Sequence, residues 1–191
     1  MTQTQTPAFD LAAVSQQLAQ HDATGIAPVD QWSPAFCGDI NMRIARNGQW
    51  FYMGTPIGRQ RMVNLFARVL WREGDNYFLK TPVEKIGIQV DDVPFVLTGV
   101  EQVPGEQGPE LWFTSSTEDH LRADAEHPIR VSVDETTGEP SPYLMMRFGM
   151  EGLISRPVFY QLVELATLEP CDGGEQLIIE SAGQRFSLGQ V

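Results

Sequence analysis

The chain has 191 residues, of which 42% are apolar, and a formal net charge of −12. The apolar share allows a sizeable core, while 17 glycines and 13 prolines predict many turns and short strands rather than a helical bundle. The charge argues against binding of polymeric nucleic acid, and no apolar run approaches the roughly 18 residues of a membrane span. With no basic leader at the N-terminus, we expect a soluble, cytoplasmic protein.

The N-terminal extension, residues 1–30, predicts one amphipathic helix. Thr6-Pro7 suits a helix start, and Leu11, Val14 and Leu18 follow at helical spacing. This helix is an addition to the rest of the fold.

Residues 31–120 predict a first ββαββ unit with added strands. Asn47-Gly48 is a strong hairpin signal between two alternating segments, and Gly74 is a plausible helix stop. The predicted elements are strands at 40–44 and 49–53, a helix at 59–71, and strands at 76–80 and 85–90. Two further strands, at 93–101 and 110–115, are expected to extend the first sheet.

Residues 121–191 predict a second ββαββ unit. Its predicted elements are strands at 129–134 and 143–148, a helix at 154–168 and a hairpin at 176–188. Pro157 fits the first turn of the helix, where no N–H is lost.

Three collinear matches make tandem duplication the best explanation of this order. The matches place residues 57–66 over 154–163, 74–88 over 174–188, and 42–44 over 129–131. The sequence therefore predicts an α+β fold built from two copies of one unit.

The duplication puts basic residues at matching points of the two copies. These pairs are Arg43 with Arg130, Arg59 with Arg156, and Lys85 with Arg185. A cation at a helix start is disfavoured by the helix dipole, so Arg59 and Arg156 need compensation. Either acids of the same chain pair with these bases, or a bound anion does.

No segment carries a catalytic signature. The three histidines are scattered, and no nucleophile elbow, zinc helix or complete P-loop occurs, so neither a metal nor a cofactor is predicted. The two cysteines, Cys37 and Cys171, are expected to be reduced thiols.

The chain resembles the bacterial family known as domain of unknown function 1285, from about Trp32 to the C-terminus. The segments that carry the resemblance are Trp32-Ser-Pro34, Cys37-Gly-Asp-Ile40, Tyr52-Met-Gly-Thr-Pro-Ile57, Arg59, Leu65-Phe-Ala67, Leu79-Lys-Thr-Pro-Val-Glu-Lys85, Val90 to Phe95, His127-Pro-Ile-Arg130, Pro142-Tyr143, Arg147, Ile154-Ser-Arg156 and Phe186-Ser-Leu-Gly189. The resemblance implies a duplicated fold with a C-terminal half superficially like a pleckstrin-homology domain. It also implies a site for a nucleotide-like ligand at the interface of the halves and a role in signal transduction.

We therefore expect a non-catalytic binding module for a small anion, with a nucleotide as one candidate ligand. The expected ligand-binding residues are Tyr52, Arg59, Lys80, Lys85, Phe95, Arg130, Tyr143, Arg147 and Arg156. Two alternatives stay open. One is a scaffold whose acidic surface docks a protein partner. The other is an enzyme in which Asp92 or Glu84 acts on a bound nucleotide.

Overall fold

The computed structural model describes residues 10–20 and 25–191, which form two compact units. The first unit takes residues up to 43 together with 50–89, and the second takes 44–49 together with 90–191. Within the described residues, no helix has the length and apolar character needed to cross a membrane.

The first unit is a six-stranded sheet with a helix packed against it. Its elements are α1 (Leu11–Gln20), a 3-10 turn (Val29–Gln31), β1 (Phe36–Ile44), β2 (Trp50–Tyr52), β3 (Thr55–Pro56), α2 (Gln60–Ala67), β4 (Leu70–Glu73), β5 (Asn76–Lys80) and β6 (Lys85–Val90). The strands pair in the order β3-β2-β1-β6-β5-β4. Helix α2 buries Val63, Phe66 and Ala67, and the Phe66 ring stacks on Trp50 with 6.3 Å between centroids. This apolar contact holds the helix on the sheet.

The second unit has a six-stranded and a three-stranded sheet. Its elements are β7 (Phe95–Gly105), β8 (Gly108–Ser115), β9 (His120–Arg122), β10 (Ile129–Val133), β11 (Pro140–Arg147), β12 (Met150–Ile154), α3 (Arg156–Leu165), β13 (Thr167–Cys171), β14 (Gly174–Ser181) and β15 (Gln184–Gln190). The larger sheet has the order β10-β11-β12-β7-β8-β9, and the smaller has β13-β14-β15. The buried Ser181 hydroxyl links them, because it donates to Ala123 O at 2.6 Å and accepts from Leu111 N–H at 2.9 Å.

The predicted α+β duplication is confirmed, and each copy has one more strand on either side of its helix than predicted. Both copies run as three strands, a helix and three strands, from β1 to β6 and from β10 to β15. Their registers also match, because Lys80 pairs with Lys85 in the first copy and Glu180 pairs with Arg185 in the second. In the first copy β1 hydrogen-bonds to β6, and in the second β10 lies against β15.

The predicted helices are too long at their C-terminal ends. Helix α2 ends at Ala67, and strand β4 begins at Leu70, inside the predicted helix. Gly74 lies in a two-residue turn that pairs Glu73 with Asn76, instead of stopping a helix. In the second copy, the Ala166 backbone is extended and leads into β13. In the residues predicted to continue each helix, the backbone N–H and C=O groups instead form strand hydrogen bonds with β5 and β14.

Strands β7 and β8 belong to the second sheet, so the expectation that they extend the first sheet is wrong. Strand β7 pairs in parallel with β12, with Phe95 opposite Gly152. The strand that pairs with β7 lies more than fifty residues further along the chain. The residue alternation that predicts a strand holds no information about so distant a partner.

Candidate functional site

Two lysines lie opposite each other on β5 and β6. Lys80 and Lys85 are direct cross-strand partners, a position where like charges destabilise a sheet. Aromatic rings reduce this cost, because Lys80 Nζ lies 4.0 Å from the centroid of Trp71 and Lys85 Nζ lies 5.1 Å from that of Phe78. Since side chains alternate along strands, these groups share the face opposite the buried Leu70.

Lys80 is a buried cation that forms no ion pair with any described residue. The residue is only 5% exposed, and among the described residues no carboxylate oxygen lies within 4.0 Å of its amine. A buried charge is costly unless it is paired. Its contact with the indole recovers about 0.5–2 kcal/mol.

Glu73, at the end of β4, completes this cluster of Trp71, Glu73, Lys80 and Lys85, which we call the lysine cluster. Its carboxylate accepts hydrogen bonds from Lys85 Nζ at 3.0 and 3.1 Å and from Trp71 Nε1 at 3.0 Å. The hydrogen bond from Lys85, and then that from Trp71, lower the pKa of Glu73 below its ordinary value, and the charge of Lys80 lowers it further.

The second copy provides a natural comparison. Glu169 lies opposite Gln176 as Glu73 lies opposite Asn76, and Arg185 binds both Glu169 and Glu180 there. Glu180 therefore stands where the first copy has Lys80. With this change, the three charged positions sum to +1 in the first copy (Glu73, Lys80, Lys85) and to −1 in the second (Glu169, Glu180, Arg185). The first copy therefore has the surplus of positive charge.

A pocket of about 380 Å³ adjoins the lysine cluster. It is lined by Phe36, Asp39, Glu73, Asn76, Tyr77, Phe78, Lys85, Gly87 and Ile88. The Asp39 carboxylate lies directly over Gly87, where an added Cβ would come within 1.8 Å of Asp39 Oδ1. The pocket is thus lined by one cation, Lys85, by the carboxylates of Glu73 and Asp39, and by aromatic rings, and its volume suits a small ligand.

Expected site residues in the second unit are neutralised by acids of the same chain. Arg130 lies across the ladder from Tyr143, 4.4 Å from its ring centroid, and forms a bidentate pair with Glu151 at 2.6 Å. The Tyr143 hydroxyl donates to Asp92 at 3.0 Å. Burial, and then this hydrogen bond, raise the pKa of Tyr143.

Arg147 is also paired inside the second unit. Its side chain is 8% exposed, its Nη1 lies 2.5 Å from Asp119 Oδ1, and its guanidinium covers the Phe95 ring at 4.5 Å. The Asp119 carboxylate also accepts from the hydroxyls of Ser115 and Thr117. These contacts pair the Arg147 charge inside the second unit, and its ligand-binding role stays a prediction.

The two helix-start arginines differ from each other. Arg59 is exposed at the N-cap of α2, and among the described residues it has no ion pair. Arg156, the first residue of α3, binds Glu139. It lines a groove of about 700 Å³ together with Arg46 and the exposed Tyr160. Of the two alternatives that the sequence left open, pairing with an acid of the same chain therefore holds for Arg156.

Tyr52, the expected aromatic site residue of the first unit, does not line the 380 Å³ pocket. It lines a groove of about 610 Å³ with residues of α1, the exposed Met53 and Glu84. Its ligand-binding role, like that of each expected site residue, stays a prediction.

Sequence reasoning missed Trp71 and Glu73, because both fell within or beside a predicted helix. The available signal was Gly74-Asp75, a dipeptide typical of a two-residue hairpin turn. Reading it as a turn would have placed Trp71 and Glu73 on the same face as Lys80.

The described residues contain no group of three or more His, Cys, Asp or Glu side chains that could hold a metal ion. Cys37 and Cys171 are free thiols.

Comparisons with known proteins agree over nearly the whole chain. One family model, described as domain of unknown function (DUF1285), N-terminal domain, matches residues 27–93, and another, described as protein of unknown function (DUF1285), C-terminal domain, matches residues 94–188. A crystal structure of a DUF1285 family protein from Silicibacter pomeroyi DSS-3 is 45% identical, with a TM-score of 0.86, and the alignment covers 96% of this chain and 97% of that one. A DUF1285 family protein from Shewanella baltica OS155 is 28% identical, with a TM-score of 0.53 over 64% of this chain and 90% of that one. No curated protein matches the chain.

Proposed function

This chain belongs to the DUF1285 family, whose function is unknown, and we propose that it is a non-catalytic module that binds a small anionic ligand at the lysine cluster. Nucleotides are the first class of ligand to test. We further propose that the protein acts in the cytoplasm, in signal transduction.

One observation carries the proposal: Lys80 is a buried cation opposite a second lysine, and it forms no ion pair with any residue that the structure describes. An oxyanion near both amines would supply the missing charge through charge-assisted hydrogen bonds. The adjoining pocket would hold the rest of the ligand against Phe78 and Phe36, whose rings meet edge to face at 5.9 Å.

The divergence of the two copies supports the same location. Both copies keep an acid–base pair, Glu73–Lys85 or Glu169–Arg185, at equivalent positions. The first copy differs at two neighbouring positions. It has Lys80 where the second copy has Glu180, and Trp71 where the second copy has Thr167. An ion pair that only stabilised the fold would not require the additional positive charge of Lys80.

A thermal-shift screen of nucleotides and inorganic phosphate tests the proposal. A ligand at 100 times its dissociation constant should add about 2.7 kcal/mol to the free energy of unfolding. Lys80→Met keeps the apolar stem and removes the amine, so it should abolish the shift. Arg185→Met removes the second copy's counterpart of Lys85 and should leave the shift intact.

Three outcomes would contradict the proposal. They are a melting temperature that no anion shifts, a full shift retained in Lys80→Met, and turnover of a nucleotide. Loss of the shift in Arg156→Ala, with Lys80→Met unaffected, would place the ligand in the groove at the start of α3 instead.

A further inference from the structure

Glu73 already uses one of the two amines that the proposed function assigns to a ligand, that of Lys85. One oxygen accepts from the Trp71 indole and from Lys85, and the other accepts from Lys85 alone. The charge of Lys80 also acts on this carboxylate. An oxyanion is thus bound in the lysine cluster, and it is one of the protein's own.

The position of Glu73 makes this occupancy reversible. Its side chain is 47% exposed at the last residue of β4, beside the exposed turn at Gly74-Asp75. The carboxylate end of this ion pair is exposed, and exposed ion pairs are weak, so the carboxylate can swing into solvent. Lys85, only 18% exposed, would remain in place.

We infer that Glu73 is an internal competitor, whose carboxylate occupies the place of the ligand's oxyanion and sets which anions the site accepts. This inference rests on the proposed function. The incoming group would be a carboxylate or a phosphate, matched to Lys85 and to the Trp71 N–H. The body of the ligand would extend into the 380 Å³ pocket.

Asp39 limits the ligand further. Its carboxylate faces the same pocket from β1 and has no ion pair among the described residues. A second negative group on the ligand would be repelled there, which is selection by repulsion. The site therefore suits a ligand with one anionic end and a neutral or cationic remainder.

Titration of the full-length protein with acetate and, separately, with inorganic phosphate tests the inference. Binding would be followed by the NMR signal of the Trp71 indole N–H, assigned with Trp71→Phe. Glu73→Gln should bind the probes roughly tenfold more tightly than the native protein, the gain expected if Glu73 occupies the site nine-tenths of the time. Asp75→Asn, an equal charge change in the exposed turn, should not change the affinity.

The outcomes separate the two proposals. A gain in Glu73→Gln that Lys80→Met abolishes supports both, and the probe that gains affinity identifies the ligand's oxyanion. Equal affinity in the native protein and Glu73→Gln, with loss in Lys80→Met, overturns the competitor and leaves the binding function standing. Absence of binding in every variant overturns both.

Discussion

The difference between Lys80 and its counterpart Glu180 shows how much one side chain decides. Both lie opposite a base, Lys85 or Arg185, in the same register. A glutamate there closes an ion-pair network with Arg185, whereas a lysine leaves positive charge in excess. A lysine can occupy this buried position because its long stem packs on apolar surface while its amine lies over an indole.

Glu73 should make stability depend on pH at the acid end. Its pKa is lowered in the folded state, so its contribution is present above the ordinary glutamate pKa of about 4.3 and is lost as pH falls through the lowered value. Urea unfolding of the native protein and of Glu73→Gln should therefore converge in stability as the pH drops. Asp75→Asn is the control for the charge change. A constant difference between the native protein and Glu73→Gln across the acid range would contradict this assignment.

Strand β12 shows why an element's position depends on its partner. In the sheet formed with β7, side chains pack directly over Gly152, where an added Cβ would come within 2.3 Å of Leu97 Cδ2 and 2.8 Å of Met146 Sδ. Both neighbours are buried, so neither can move freely.

Gly152→Ala should accordingly destabilise the protein by about 1–3 kcal/mol, the usual cost of overpacking a core. Gly99→Ala is the matched control in the same sheet, because its nearest atom would be Thr114 Cβ at 3.9 Å. Chemical denaturation would measure both changes. If the two substitutions cost the same, crowding against Leu97 and Met146 would not be the cause.

The charge of the whole molecule separates a small anion from a polyanion. A net charge of −12 repels nucleic acid over many ångströms, while the surplus at the lysine cluster acts only locally.

We therefore expect no binding of duplex DNA, with a dissociation constant weaker than about 10⁻⁴ M at physiological salt. Electrophoretic mobility shift measures this directly, and a single nucleotide tested by thermal shift provides the contrast. Retardation of DNA at lower protein concentrations would contradict the charge argument.

The sequence by itself determined the local elements and the duplication. Asn47-Gly48 placed the first hairpin, and the alternation at 76–80 and 85–90 placed β5 and β6. The spacing of Leu11, Val14 and Leu18 predicted the helix found at Leu11–Gln20, while its predicted start at Thr6-Pro7 lies outside the described residues. Each signal arises from residues close in the chain, where periodicity and turn chemistry act directly.

Tertiary structure alone decided which strands share a sheet and which charges meet. The partner of β7 lies more than fifty residues away, and Lys85 finds its acid twelve residues back at Glu73. Local spacing allowed a helix through Trp71, and pairing with β5 replaced it with a strand. Such contacts depend on which strands pair across long sequence separations. A single sequence does not show that pairing.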